Sequence, residues 1–105
     1  MERPRKLTPD EVTLALSQLA GWRAEGDRLR REYAFKDFVD AWTFMSAMAL
    51  VIQQMDHHPD WSNVYGTVRV ELWTHDAGGI STRDVELAKR MEVTAARLRF
   101  RAGPA

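Results

Sequence analysis

The chain has 105 residues, a mass of 12.1 kDa, 15 basic and 15 acidic side chains, three histidines and no cysteine. That length supports one hydrophobic core and falls short of the span at which a second is expected, so residues 1–105 read as one domain. Balanced charge supplies no field to steer the chain onto phosphate backbones, making nucleic acid an unexpected direct partner. The missing cysteines exclude a disulfide framework, a thiolate metal site and a cysteine nucleophile together, and they fit a reducing cytoplasm.

Met1 to Lys6 is basic, but Leu7-Thr8-Pro9-Asp10-Glu11 follows in place of an apolar run, so no secretory signal is read there. Thr8-Pro9-Asp10-Glu11 predicts a helix start with a hydroxyl cap, a proline whose missing N–H is harmless, and a carboxylate positioned to close a capping box. Val12, Ala15, Leu16 and Leu19 share one side at helical spacing, which predicts a helix over Pro9 to Leu19, ended by Gly21. From Trp22 to Phe35 the pattern becomes a hairpin about Gly26-Asp27, with Leu29, Tyr33 and Phe35 alternating with Arg30, Glu32 and Ala34.

Phe38, Trp42, Met45, Met48, Ala49, Ile52 and Met55 trace a second helical stripe, widened by Phe44 and Val51 until only a narrow polar edge remains. Such a helix must be covered on more than one side. Its mostly apolar stretch, Ala41 to Ile52, contains Thr43 and Ser46 and is too short to cross a bilayer, so no membrane partner is expected and the chain reads as soluble. Pro59 ends the helix near Met55 and makes His57-His58-Pro59 a connection. Asp60 to Tyr65 and Thr67 to Thr74 read as strands paired about Gly66, with Val68, Val70 and Leu72 on one side. After the turn Asp76-Ala77-Gly78-Gly79, Ser81 and Asp84 predict another capping box, and Val85, Ala88, Met91 and Ala95 a last helix from Thr82 to Leu98. Residues 1–6 and 99–105 are expected to be flexible.

The predicted order is α-β-β-α-β-β-α, an α+β domain whose four-stranded antiparallel sheet carries three helices on one face. The opposite sheet face, which bears Trp73, is expected to need a partner. With four tryptophans and five methionines in so short a chain, self-association is expected as well.

All three histidines fall between positions 57 and 75, two on a helix-to-strand loop and one where the following strand ends. Histidine exchanges protons near neutral pH, so their convergence would make an acid–base site, although a lone loop histidine usually has no such role. A three-histidine zinc site is the competing reading. Neighbouring residues of extended chain point to opposite sides, and no helical ligand spacing is present, so no metal is expected. Asp56, Asp60, Asp76 and Asp84 are the nearby carboxylates. Asp84 has a sufficient structural role as a helix cap, whereas Asp56 closes a helix C-terminus, where the dipole disfavours an acid. Trp22, Trp61, Tyr65 and Trp73 could stack on a planar heterocycle or serve in the core or an interface.

The string Asp56-His57-His58-Pro59-Asp60-Trp61-Ser62-Asn63-Val64-Tyr65, followed by Thr74-His75-Asp76-Ala77-Gly78-Gly79-Ile80-Ser81-Thr82-Arg83-Asp84, resembles the signature of the pterin-4a-carbinolamine dehydratases. Gly21-Trp22 and Phe35-Lys36-Asp37-Phe38 are also similar to that family, and the resemblance runs from about Leu7 to Leu98. It implies dehydration of a 4a-hydroxytetrahydropterin to a quinonoid dihydropterin in tetrahydrobiopterin recycling, with no cofactor or metal and with assembly as a homodimer or homotetramer. Carried over residue by residue, it implies catalytic roles for His57, His58 and His75 and substrate contacts from Asp56, Pro59, Trp61, Asp84 and Gln53. Gln53 departs from the family's common glutamate and cannot titrate, so any proton-accepting role at that position is lost. The family also includes dimerisation cofactors of a homeodomain transcription factor. A non-enzymatic module with a helical protein partner, or a binder of another pterin, therefore stands as the alternative.

Overall fold

A computed structural model describes residues 4–102, and side chains as far as residue 98. Positions 1–3 and 103–105 of the two terminal segments expected to be flexible lie outside the described residues. The first helix, α1, spans Pro9–Leu16. Its capping box is complete, since the Glu11 amide donates to Thr8 Oγ1 at 3.2 Å and the Thr8 amide to Glu11 Oε1 at 2.9 Å. The helix stops three residues before the predicted Leu19. There the backbone tightens into i→i−3 bonds, Gln18 N–H to Ala15 O and Leu19 N–H to Leu16 O, and Gly21 turns the chain at φ +84°.

Strands β1 (Arg23–Glu25) and β2 (Arg28–Ala34) form the predicted hairpin. Helix α2 spans Phe38–Met55, β3 spans Asp60–Val64 and β4 spans Thr67–Leu72. A short 3₁₀ turn over His75–Ala77 leads into α3, Thr82–Ala102. The last helix thus runs four residues past the predicted Leu98. The sheet order is β1-β2-β4-β3, antiparallel throughout, with the three helices on one face, so the α+β architecture is as expected.

Alternation explains the core. Leu29 and Tyr33 of β2 and Val68, Val70 and Leu72 of β4 face the helices and are buried. Ala41, Phe44, Met48 and Ile52 of α2 meet Leu87, Ala88, Met91 and Ala95 of α3 over them. The stripe predicted on α2 is displaced. The buried line runs through Phe44, whose ring centroid lies 5.0 Å from that of Tyr33, while Phe38 and Trp42 pack on each other outside the core. Phe38, Val39, Trp42 and Leu50 form an outward side of α2, and Trp42 and Leu50 are 58% and 71% exposed.

Beneath the helices, Trp22 Nε1 and the Tyr33 hydroxyl both donate to Glu92 Oε2, with Arg31 Nε 3.4 Å from the same oxygen. Burial, reinforced by the Glu92 carboxylate, raises the Tyr33 phenol above its ordinary range.

The opposite sheet face, where a partner is expected, is built of charged pairs. Cross-strand registers set Arg30 against Glu71 and Glu32 against Arg69, giving ion pairs of 3.0 Å each, and Arg28 adds a 2.6 Å contact to Glu71. Trp73 lies under the Arg28 guanidinium, 4.8 Å from centroid to Cζ, and donates to Asp60 Oδ2. These charges pair across the strands, and a cluster of exposed apolar side chains lies on α2.

Candidate active site

The loop after α2 separates the two adjacent histidines. Asp56 takes a left-handed conformation at φ 50°, and a Schellman motif closes the helix: Asp56 N–H to Gln53 O and His57 N–H to Ile52 O, both 3.3 Å. Aspartate tolerates that conformation better than most residues, which accounts for an acid at this helix end through its backbone. The reversal sends His57 inward, where it is 8% exposed, and His58 outward. His75 arrives from the other side on the 3₁₀ turn, whose loop is tied shut by Thr74 N–H to Gly79 O at 2.8 Å.

Below His57 lies a buried polar network. His57 Nε2 is 2.6 Å from Asp84 Oδ1, while Asp84 Oδ2 accepts from Thr74 Oγ1 at 2.8 Å and from the Ser81 amide at 2.9 Å. Thr74 Oγ1 also meets Ser81 Oγ at 2.6 Å, and Ser81 Oγ accepts the Arg83 amide at 3.2 Å. Thr74, Ser81 and Asp84 are buried, so each polar atom depends on these partners. A carboxylate oxygen can only accept from His57, so Nε2 carries a hydrogen, and in the neutral ring the lone pair falls on Nδ1. The acid that caps α3 therefore also fixes an imidazole tautomer.

His57, His58 and His75 converge on one cleft of about 300 Å³, shared with Asp56, Asp60 and Asp76 and bordered by Trp73, Thr74 and Arg83. The His75 and Trp73 rings meet edge to face at 5.5 Å. Asp56 is loosely paired with His58 at 3.7 Å, and both are exposed. The other candidates lie elsewhere. Asp84 is fully enclosed and reaches the cleft through His57. Pro59 and Trp61 are partly buried but are not part of the lining, with Trp61 packed against the core. Gln53 has its side chain exposed on α2, outside the lining as well. Trp22 belongs to the core, and Tyr65 is exposed on the β3–β4 turn.

Sequence reasoning assigned no part to Thr74 or Arg83. Thr74 carried no signal beyond its place in the motif, but a cation in the first turn of a helix, as Arg83 is, runs against the dipole and could have been flagged. Among the described residues no three histidine, aspartate or glutamate side chains group as metal ligands. No helix there is long and apolar enough to cross a membrane.

Comparison with known proteins agrees with this geometry. A family model described as pterin 4 alpha carbinolamine dehydratase matches residues 5–94. A relative from Afipia carboxidovorans, provisionally named a pterin-4-alpha-carbinolamine dehydratase, is 55% identical over 87% of this chain and 93% of its own. One of the same name from Mesorhizobium japonicum is 49% identical over 82% and 90%. Among solved structures, a transcriptional coactivator/pterin dehydratase from Brucella melitensis superposes with a TM-score of 0.84 at 39% identity, covering 87% of this chain and 99% of that one. A pterin dehydratase-like protein described as a RuBisCO assembly factor, at 23% identity and a TM-score of 0.63, shares the fold alone. With the family model spanning most of its length and the histidine string gathered in one cleft, this chain belongs to the pterin-4a-carbinolamine dehydratase family.

Proposed function

We propose that the chain dehydrates a 4a-hydroxytetrahydropterin by histidine acid–base catalysis in its cleft, in the setting of cytoplasmic tetrahydrobiopterin recycling. One observation carries the reading: a buried imidazole with its tautomer set by Asp84 borders the same cleft as two exposed imidazoles. In the reaction the bond from C4a to its hydroxyl oxygen breaks, and that oxygen takes a proton and leaves as water. N5 surrenders its proton to a base, and a C4a–N5 double bond forms. The elimination transfers no electrons, so its balance requires no redox cofactor.

With Nε2 held by Asp84, His57 has Nδ1 for proton exchange. His57 and His75 fill the acid and base roles, and His58 positions the ring. General acid–base assistance of this kind contributes about 10²- to 10⁴-fold. A cleft of about 300 Å³ lies at the lower end of the range for small-molecule sites and suits a bicyclic heterocycle. Because Gln53 stands outside the lining, the reading places no proton transfer on position 53. The outward apolar side of α2 supports homo-oligomerisation, a dimer or a tetramer.

That same side of α2, with the coactivator description of the Brucella melitensis protein, favours a second reading, a binding module for a helical protein partner. Stopped-flow decay of enzymatically generated 4a-hydroxytetrahydropterin separates the two. Acceleration by the wild type and a loss of about 10²- to 10⁴-fold in His57→Ala are expected. Unchanged turnover in His57→Ala would remove His57 from the chemistry, and no acceleration by the wild type would leave the binding module.

A further inference from the structure

Arg83 stands out among the described cations, because the others that lack an ion pair, Lys36, Lys89 and Arg97, are exposed. Arg5, Arg23, Arg28, Arg30, Arg31, Arg69 and Arg90 each hold a carboxylate within 4.0 Å. The Arg83 guanidinium has no hydrogen-bond or ion-pair acceptor among the described residues, although it is partly buried and borders the histidine cleft. It also sits in the first turn of α3, where the helix dipole disfavours a cation. Its backbone is not free to drift, because its amide is bound to Ser81 Oγ, within the network that holds His57. An unpartnered guanidinium on a fixed backbone at the edge of a cleft is a preorganised donor awaiting an oxygen acceptor.

We propose that Arg83 is a specificity-determining residue that donates to the 4-oxo group of the pterin; this rests on the pterin reading above. The pyrimidine edge of a pterin carries donors at the 2-amino group and N3–H and an acceptor at O4. The exposed Asp56 and Asp76 carboxylates border the same cleft and match the donors, which leaves the acceptor to Arg83. O4 is the neighbour of N5 across the ring junction. A donor fixed on O4 therefore sets the register that brings N5 and the 4a-hydroxyl to the histidines. It also rejects a 2,4-diaminopteridine, whose 4-amino group would point its own donors at a guanidinium that has none but donors to offer.

The test is calorimetric titration of the wild type and of Arg83→Gln with a 7,8-dihydropterin and with its 2,4-diamino counterpart, alongside thermal melts. The wild type should bind the 4-oxo compound about 10- to 100-fold more tightly than the 4-amino one. In Arg83→Gln that preference should collapse, because a side-chain amide can accept as well as donate, and the melting temperature should not fall. Pterin binding with the same 4-oxo preference in both proteins would overturn the role of Arg83 and leave the pterin reading standing. A wild type that binds neither compound would overturn the pterin reading, and this inference with it.

Discussion

Asp84 carries two duties, and two substitutions separate them. Asp84→Ala strands the His57 Nε2–H and the Ser81 N–H, bound at 2.6 and 2.9 Å, in a fully buried site, while Thr74 keeps its 2.6 Å contact with Ser81 Oγ. Two buried unsatisfied donors at about 1–3 kcal/mol each give a loss of roughly 4 kcal/mol. In a domain of this size that lowers the melting temperature by on the order of 15 °C. Asp84→Asn keeps the shape. Its amide oxygen can replace only one carboxylate oxygen, and facing Thr74 and the Ser81 amide it satisfies both donors. The –NH₂ group then meets His57 Nε2, which must accept, and the ring hydrogen moves to Nδ1. Stability should fall by only about 1 kcal/mol, whereas turnover should drop about 10²- to 10⁴-fold, because the ring can then neither take a proton on Nδ1 nor, with Nε2 accepting from the amide, form the imidazolium that gives one. Thermal and urea melts, stopped-flow dehydration and ¹⁵N spectra of the His57 ring read the three quantities separately. An Asn variant within about threefold of wild-type turnover would refute the tautomer argument. An Ala variant as stable as the wild type would refute the buried-network one.

The raised Tyr33 phenol sets a pH limit. The folded state holds the proton above the ordinary value of 10.0, whereas the unfolded chain loses it there, so this contribution to stability is complete below pH 10 and declines above it. Denaturant melts from pH 8 to 11 should show a steeper fall for the wild type than for Tyr33→Phe, and parallel curves would contradict the assignment. The outward side of α2 yields the other expectation. Trp42→Glu combined with Leu50→Glu should convert an oligomer to monomer in sedimentation velocity while leaving stability within about 0.5 kcal/mol per site, as exposed substitutions usually do. An unchanged sedimentation profile would show that this face is not the contact.

Local signals made most of the architecture legible. The Thr8 capping box, the turn at Gly26-Asp27, the proline after α2 and the alternation of Val68, Val70 and Leu72 are decided by the residues themselves, through short-range sterics and hydrogen bonding, and each stands where it was predicted. The histidine string was legible too, as spacing and as family resemblance. What spacing cannot encode is depth. Phe38 and Phe44 are equally apolar, yet only Phe44 is buried, because the helix's rotation over β2 and β4 chooses the face. His57 and His58 are neighbours of one type, yet a left-handed Asp56 sends one onto Asp84 and the other to solvent. The same long-range packing encloses Asp84, excludes Gln53 and Trp61 from the cleft and brings Arg83 to its rim. Short-range chemistry along the chain determined the elements and named the reactive side chains. Only the tertiary packing decided which of them are enclosed, which are exposed and which share a cleft, because those outcomes depend on contacts between segments far apart in sequence.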